Sequence, residues 1–186
     1  MTISWIQAVI LGIFACLASM PGMGGSAIGN YTLGRPLVAG LVCGIILGNV
    51  PAGIMVGAAM QVVYIALVTP GGTVSADVRA VSYIGIPLAM LALNSYGLDP
   101  ASTKGVAMAT SFGAMVGTLG TVLFYGTATI NLVWQHIGWR AVEKGEFKKL
   151  YLVDMVLPWI SHLICIFIPS VVMSKIGFPE LETIKA

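Results

Sequence analysis

The chain has 186 residues, of which 58% are hydrophobic and 9% charged, with a formal net charge of +2 and a mean hydropathy of +0.95. A soluble globular domain carries roughly 25% charged residues, so a surface this poor in charge excludes an ordinary water-soluble domain and points to lipid as the solvent. The basic excess is local, which excludes a nucleic-acid footprint, and Cys16, Cys43 and Cys165 lie apart in apolar runs with no CxxC or Cys/His cluster, so neither a disulfide framework nor a metal site is indicated.

The apolar run 3–20 is long enough for a spanning helix, at the lower end of the ~17–25 residues required. No Lys or Arg precedes it, the first charge being Arg35, whereas a secretory leader begins basic; it reads as a retained segment. Pro21-Gly22-Met23-Gly24-Gly25-Ser26 cannot continue a regular helix cheaply. Residues 26–34 (SAIGNYTLG) are polar and uncharged and bring Asn30, Tyr31 and Thr32 together, a first stretch of irregular backbone at membrane depth.

Arg35-Pro36 opens the next helix, with proline where its missing N–H costs nothing. Residues 36–48 supply only ~13 apolar positions, short for a span and suited to a re-entrant or broken helix. Asn49-Val50-Pro51 ends it, and residues 51–69 form an apolar helix carrying one amide, Gln61. That helix breaks at Thr69-Pro70-Gly71-Gly72, after which polar chain runs through Thr73, Ser75 and Asp77 to Arg79. Irregular backbone at membrane depth must be buried in protein or line a wet cavity, and transporters place substrate at such breaks. The pattern helix–PGMGG–polar at 21–34 is echoed by helix–PGG–polar at 70–79.

Residues 80–94 resume apolar helix, with Pro87 predicting a kink. Residues 95–104 form a loop with a turn at Asp99-Pro100, and Ser102 is placed to cap the longest helical stretch, 105–136. Gly113 and Gly117 on that stretch predict close helix packing, and Trp134, His136 and Trp139 an interfacial anchor. Residues 140–149 hold six charged side chains, four of them basic, which the positive-inside rule assigns to the cytoplasm, leaving the loop at 95–104 outside. Residues 150–176 make a last span containing Asp154, Pro158, His162 and Pro169, followed by a polar tail. The expected fold is all-α and integral to the membrane: a multi-span helical bundle with re-entrant or broken helices, one domain over residues 1–186.

No nucleophile–base constellation is visible, PGGTVSAD lacks the GK[ST] ending of a phosphate-cradling loop, and there is no HExxH. No enzyme activity, cofactor or metal is expected. Neutral polar groups at membrane depth suit a sugar, which needs hydrogen bonds and apolar faces without a strong field. The candidate substrate-binding residues are Gln61, Asp77, Thr73, Ser75, Asn30, Thr32 and Thr69, with Arg35, Pro36, Pro70, Gly71 and Gly72 shaping the breaks. Two alternatives stay open: Gln61 as an interhelical amide bond, worth ~0.6 kcal/mol on average in membranes, and Asp77 as the ion-pair partner of Arg79 or Arg35. Asp154 and His162 read equally well as packing groups.

The run Arg35-Pro-Leu-Val-Ala-Gly, Gly44-Ile-Ile-Leu-Gly48, Gly53-Ile-Met-Val-Gly57, Gln61, and Gly71-Gly72 to Asp77 resembles the IIC membrane subunits of the mannose/sorbose-type bacterial sugar phosphotransferase system (PTS). The match is most specific over 35–77 and looser through 1–180. The resemblance implies a multi-pass subunit of the bacterial cytoplasmic (inner) membrane that binds and moves a hexose or related sugar. It also implies pairing with a IID membrane subunit in trimers of IIC–IID pairs, and cytoplasmic IIA and IIB subunits that pass the phosphoryl group through their own His residues. Three departures accompany it. Gln61 stands where members often have Glu; Gly29–Gly34 offers only Asn30 and Thr32 where members often have an acidic-plus-amide cluster; and the family is longer at the C-terminus. Two further readings therefore stand beside it: a shortened chain serving as a non-transporting assembly or receptor subunit, and a secondary transporter for a small polar solute.

Overall fold

The computed structural model describes residues 2–19, 28–67 and 73–176. The expected breaks at Pro21–Ser26 and at Thr69-Pro70-Gly71-Gly72, and the polar tail, lie outside the described residues. Within them the chain is all-α, with helices α1 (Trp5–Ser19), α2 (Pro36–Leu47), α3 (Val50–Tyr64), α4 (Val78–Tyr96), α5 (Thr103–Glu143) and α6 (Lys149–Ile176). A π-helical turn, Gly29–Leu33, leads into α2. Helices α4, α5 and α6 are long and apolar enough to cross a membrane, while α1, α2 and α3 are shorter.

The bundle is built around α4. Every residue from Ala80 to Leu93 is buried, and the helix touches α1, α2, α3, α5 and α6. A helix apolar on all sides has no face for water and goes to the centre. The sequence pattern marks this segment as apolar but not as the hub.

Helices α2 and α3 form a tight hairpin. Pro36 sits in the first turn of α2, and Gly48 ends that helix at φ 77°, a left-handed conformation that glycine adopts without penalty. The Asn49 side chain then caps α3 by accepting from the Ala52 N–H at 3.2 Å. At 1.5 Å per residue the two helices run about 18 and 22 Å, against a hydrocarbon core of ~30 Å. Each helix is thus shorter than that core, the basis for expecting a re-entrant or broken helix at 36–48. α3 stops at Tyr64, short of the expected 69; Val62, Val63 and Ile65 there are β-branched and poor helix formers.

Glycine on both strands of the hairpin lets the backbones meet. A Cβ added to Gly40 would strike the Gly53 carbonyl, and one added to Gly53 would strike the Gly40 carbonyl; Gly57 faces Pro36 and Gly40 in the same way. In lipid such close van der Waals contact replaces the hydrophobic drive. The expected close packing at Gly113 and Gly117 is of another kind: Gly113 receives the Met60 side chain and Gly117 the Tyr64 ring, whose hydroxyl donates to the Gly113 carbonyl at 2.9 Å.

Three π-helical turns, Val81–Gly85, Leu152–Val156 and Leu163–Phe167, each end two residues before a proline: Pro87, Pro158 and Pro169. Proline lacks the N–H that would bond four residues back, and its ring crowds that carbonyl. One widened turn absorbs the mismatch while the helix continues. The kink expected at Pro87 takes this form, and α6 repeats it twice.

The Ser102 hydroxyl caps α5, accepting from the Gly105 N–H at 3.0 Å. The helix then runs to Glu143, so the first four residues of the expected 140–149 loop are helical. Nothing in that stretch interrupts a helix until Gly145 at φ 72°. Lys149 donates to Glu146 at 2.6 Å and holds that exposed carboxyl below its usual range. Of the residues expected as an interfacial anchor, Trp134 donates its indole N–H to the Ser161 hydroxyl at 2.7 Å, joining α5 to α6, and Trp139 is exposed. The first and last described helices close the bundle. Phe167 and Val171 pack on Gly12, and Lys175 donates to the Ile3 carbonyl at 2.7 Å beside the Trp5 ring.

Gly53→Val is expected to force the hairpin open, since its obstacle is backbone rather than a flexible side-chain end. Overpacking of this kind costs about 1–3 kcal/mol. In detergent the melting temperature should fall clearly, whereas Gly126→Ala, whose new methyl meets only Cys165 Sγ at 3.5 Å, should leave it unchanged.

Candidate functional site

Two side chains on α4 position the polar residues that precede α2. The Tyr83 hydroxyl donates to the Leu33 carbonyl at 2.9 Å. The Ser82 hydroxyl sits 2.9 Å from both the Gly34 carbonyl and the Val78 carbonyl, with one proton to share between them. Both residues are fully buried. They pin the turn that carries Asn30, Tyr31 and Arg35 against the N-terminal end of α4.

That end is Asp77. Its backbone N–H donates to the Gly117 carbonyl at 2.9 Å, anchoring it to α5. Its carboxylate caps α4 by accepting from the Arg79 N–H at 3.0 Å, and accepts again from Arg79 Nε at 2.9 Å. Asp77 is 4% exposed and the Arg79 side chain 20%. A carboxylate so buried is tolerable only when paired and hydrogen-bonded. Both bonds fall on Oδ1; among the described residues Oδ2 accepts none. The Arg79 guanidinium lies over the Phe124 ring at 5.2 Å, a cation–π contact that orients it. The chain leading to Asp77 is fastened where the Val74 N–H donates to the Tyr125 hydroxyl at 3.2 Å.

Between the pinned turn and this ion pair lies a cavity of about 400 Å³, within the ~300–1,000 Å³ range of small-molecule sites. Its polar and aromatic walls are Asn30, Tyr31, Arg35, Asp77, Arg79 and Phe124, with the Gly34 and Ala76 backbone between them. Arg35 lies beside the Tyr31 ring, 5.8 Å from its centroid. Hydroxyl groups would find a carboxylate oxygen, an amide and guanidinium N–H groups here, and a C–H face would find two aromatic rings. Among the described residues no cluster of His, Cys, Asp or Glu could hold a metal ion.

Of the sequence candidates, Asn30, Asp77 and Arg35 meet at this cavity, and the ion-pair alternative for Asp77 holds as well, with Arg79 as partner. Thr73 and Ser75 are exposed and alternate with the lining residues Val74 and Ala76; Thr32 is exposed on the π turn outside the lining. Gln61 does not line the cavity; its Oε1 is buried with no hydrogen-bond partner among the described residues. Pro36 begins α2 as expected. Thr69, Pro70, Gly71 and Gly72 lie outside the described residues. Sequence reasoning missed Arg79 as a wall and Phe124 altogether.

A second cavity, of about 280 Å³, adjoins the first and shares Asn30, Arg79 and Phe124 with it. Its other walls include Thr127 and Asn131 of α5, Ser19 of α1 and His162 of α6. His162, 5% exposed, has Nδ1 at 2.7 Å from the Pro158 carbonyl and Nε2 at 3.4 Å from the Ser19 carbonyl. Asp154, by contrast, is exposed on α6.

Residues 5–186 match the family profile of the PTS sorbose-specific IIC component. The sorbose-specific EIIC component of Klebsiella pneumoniae is 29% identical over 174 residues, covering 94% of this chain and 60% of the relative. The mannose-specific EIIC component of Escherichia coli K12 is 27% identical over 183 residues, covering 98% of this chain and 63% of the relative. The chain thus spans somewhat under two thirds of the length of these relatives. A solved structure of the mannose transporter ManYZ with microcin E492 superposes with a TM-score of 0.69 at 23% identity, covering 99% of this chain and 68% of the other. At that identity the likeness concerns the fold, an all-helical bundle.

The Asp77–Arg79 pair predicts strong coupling. Asp77→Ala leaves a partly buried guanidinium without its partner and is expected to cost about 3 kcal/mol, at the low end for a broken buried pair because Arg79 keeps some solvent. Asp77→Ala combined with Arg79→Met should cost less than the two single changes together, as read by denaturant or thermal unfolding in detergent.

Proposed function

Because this chain belongs to the PTS sorbose-specific IIC family, we propose that it is the sugar-binding and translocating membrane subunit of a mannose/fructose/sorbose-type permease. The observation that carries the proposal is the 400 Å³ cavity at the meeting of the π turn and the N-terminal end of α4. Its chemistry is that of a carbohydrate site: Asp77 Oδ2 accepts from sugar hydroxyls, Asn30 both donates and accepts, and the guanidiniums of Arg79 and Arg35 donate. Tyr31 and Phe124 face the apolar side of the ring. The ligand is a hexose or related sugar.

The subunit itself is not the phosphoryl donor. In this reading the phosphoryl group is assigned to cytoplasmic IIA and IIB partners. A IID membrane subunit completes the complex, in trimers of IIC–IID pairs, in the bacterial inner membrane. Residues 1–186 form one domain of it, with the basic turn following α5 on the cytoplasmic side. Thr73 and Ser75, exposed beside the lining residues Val74 and Ala76, are in this reading groups that a sugar meets on entry or exit rather than at rest, and Gln61, Thr32 and Thr69 are kept as further candidates for that passage.

Asn30→Ala and Phe124→Leu are expected to lower hexose affinity up to about tenfold each, the worth of one hydrogen bond or ring contact, with insertion and assembly unaffected. Gln61→Ala should lower it less than Asn30→Ala. Binding by thermal shift of the assembled complex against a hexose panel is the measurement; affinities equal to the unaltered protein in both Asn30→Ala and Phe124→Leu would contradict the site.

A further inference from the structure

We infer that the 280 Å³ cavity behind Arg79 is a second station for the same sugar, reached past a partition made by Arg79 and Phe124; this rests on the reading of the first cavity as a sugar site. Three observations carry it. The two cavities share the walls Asn30, Arg79 and Phe124, so among the described residues these three stand at the junction. The partition is held by side-chain contacts: Arg79 is fixed through Nε to Asp77 and by its face to Phe124. One wall residue of the second cavity, Asn131, also has a polar atom that lacks a partner. Asn131 Oδ1 is buried with no hydrogen bond among the described residues, a vacancy that costs about 1–3 kcal/mol unless a guest donates to it.

The lining specifies the guest. Phe124, Thr127, Ala128 and Asn131 lie on one face of α5 at helical spacing. Thr127 has given its proton to the Leu123 carbonyl and so offers only an acceptor, as does Asn131 Oδ1. With the amides of Asn30 and Asn131 and the Arg79 guanidinium supplying donors beside these acceptors, the lining suits a ligand whose hydroxyls both donate and accept. The Arg79 charge in the wall is already balanced by Asp77, which favours a neutral ligand, and a monosaccharide meets both conditions. His162 closes the far wall with its ring nitrogens set against backbone carbonyls, which makes it a positioning residue and not a ligand contact.

Site-directed labelling of the assembled complex tests the inference. Val74→Cys reports the first cavity and Ala128→Cys the second, each in a Cys165→Ala background because Cys165 is the half-buried thiol next to α5. The label is a small neutral thiol reagent, and the probe is the hexose that binds best in the thermal-shift panel. At roughly ten times its Kd the sugar should slow labelling at both positions about tenfold, since only the unliganded fraction reacts. Asn131→Leu should then abolish protection at Ala128→Cys and keep it at Val74→Cys. Protection at Val74→Cys alone overturns the second station and leaves the first intact. Protection at neither position overturns the sugar site itself. Persistence of protection at Ala128→Cys in Asn131→Leu removes Asn131 from the assignment and with it the argument from the unpaired oxygen.

Discussion

Two hydroxyls on the buried helix α4 govern the geometry of the site. Tyr83 and Ser82 reach out of the bundle's core to the carbonyls of Leu33 and Gly34. Those carbonyls belong to a turn that leaves the regular helical bonding pattern, and in a bilayer each would be costly without a donor. Satisfying them from α4 does two things at once. It removes the penalty of irregular backbone at membrane depth, and it fixes Asn30, Tyr31 and Arg35 opposite Asp77 and Arg79. The cavity between them follows from hydrogen-bond accounting in an apolar solvent.

The rest of the fold supplies the rigidity this needs. α4 is buried along its length, so the two hydroxyls cannot wander. The hairpin α2–α3 packs backbone to backbone through Gly40, Gly53 and Gly57 and holds the far end of the turn. The Gly117 carbonyl receives the Asp77 N–H, and Tyr125 receives Val74, so α5 grips the strand entering α4 from the other side. The Arg79 guanidinium is held by side-chain contacts to Asp77 and Phe124, which suits it to the role of a partition.

Much of the architecture was legible in the sequence for physical reasons. Pro36 at a helix start, the shortness of 36–48, the Ser102 cap and the Pro87 distortion are local effects, and local effects are written in neighbouring residues. The helical hub and the glycine contacts were not legible, because an apolar run or a glycine does not say which partner it meets. The site was read in part. Asp77, Asn30 and Arg35 stood out as polar groups in an apolar chain. Gln61 stood out for the same reason, yet its helix turns it off the cavity lining, since a helix decides direction by a register that a lone amide does not reveal. Phe124, Thr127 and Asn131 do share a helical spacing, but α5 carries several such stripes, and only packing chooses among them.

The α4 hydroxyls are proposed to set the site for a sugar without touching it. The sugar affinity of Tyr83→Phe tests this claim most directly, because that change removes one oxygen from the core and none from the cavity lining. The predicted result is a fall of about tenfold, the ~1.4 kcal/mol of one lost buried hydrogen bond, with helix content and assembly unchanged. An affinity equal to that of the unaltered protein would contradict the claim.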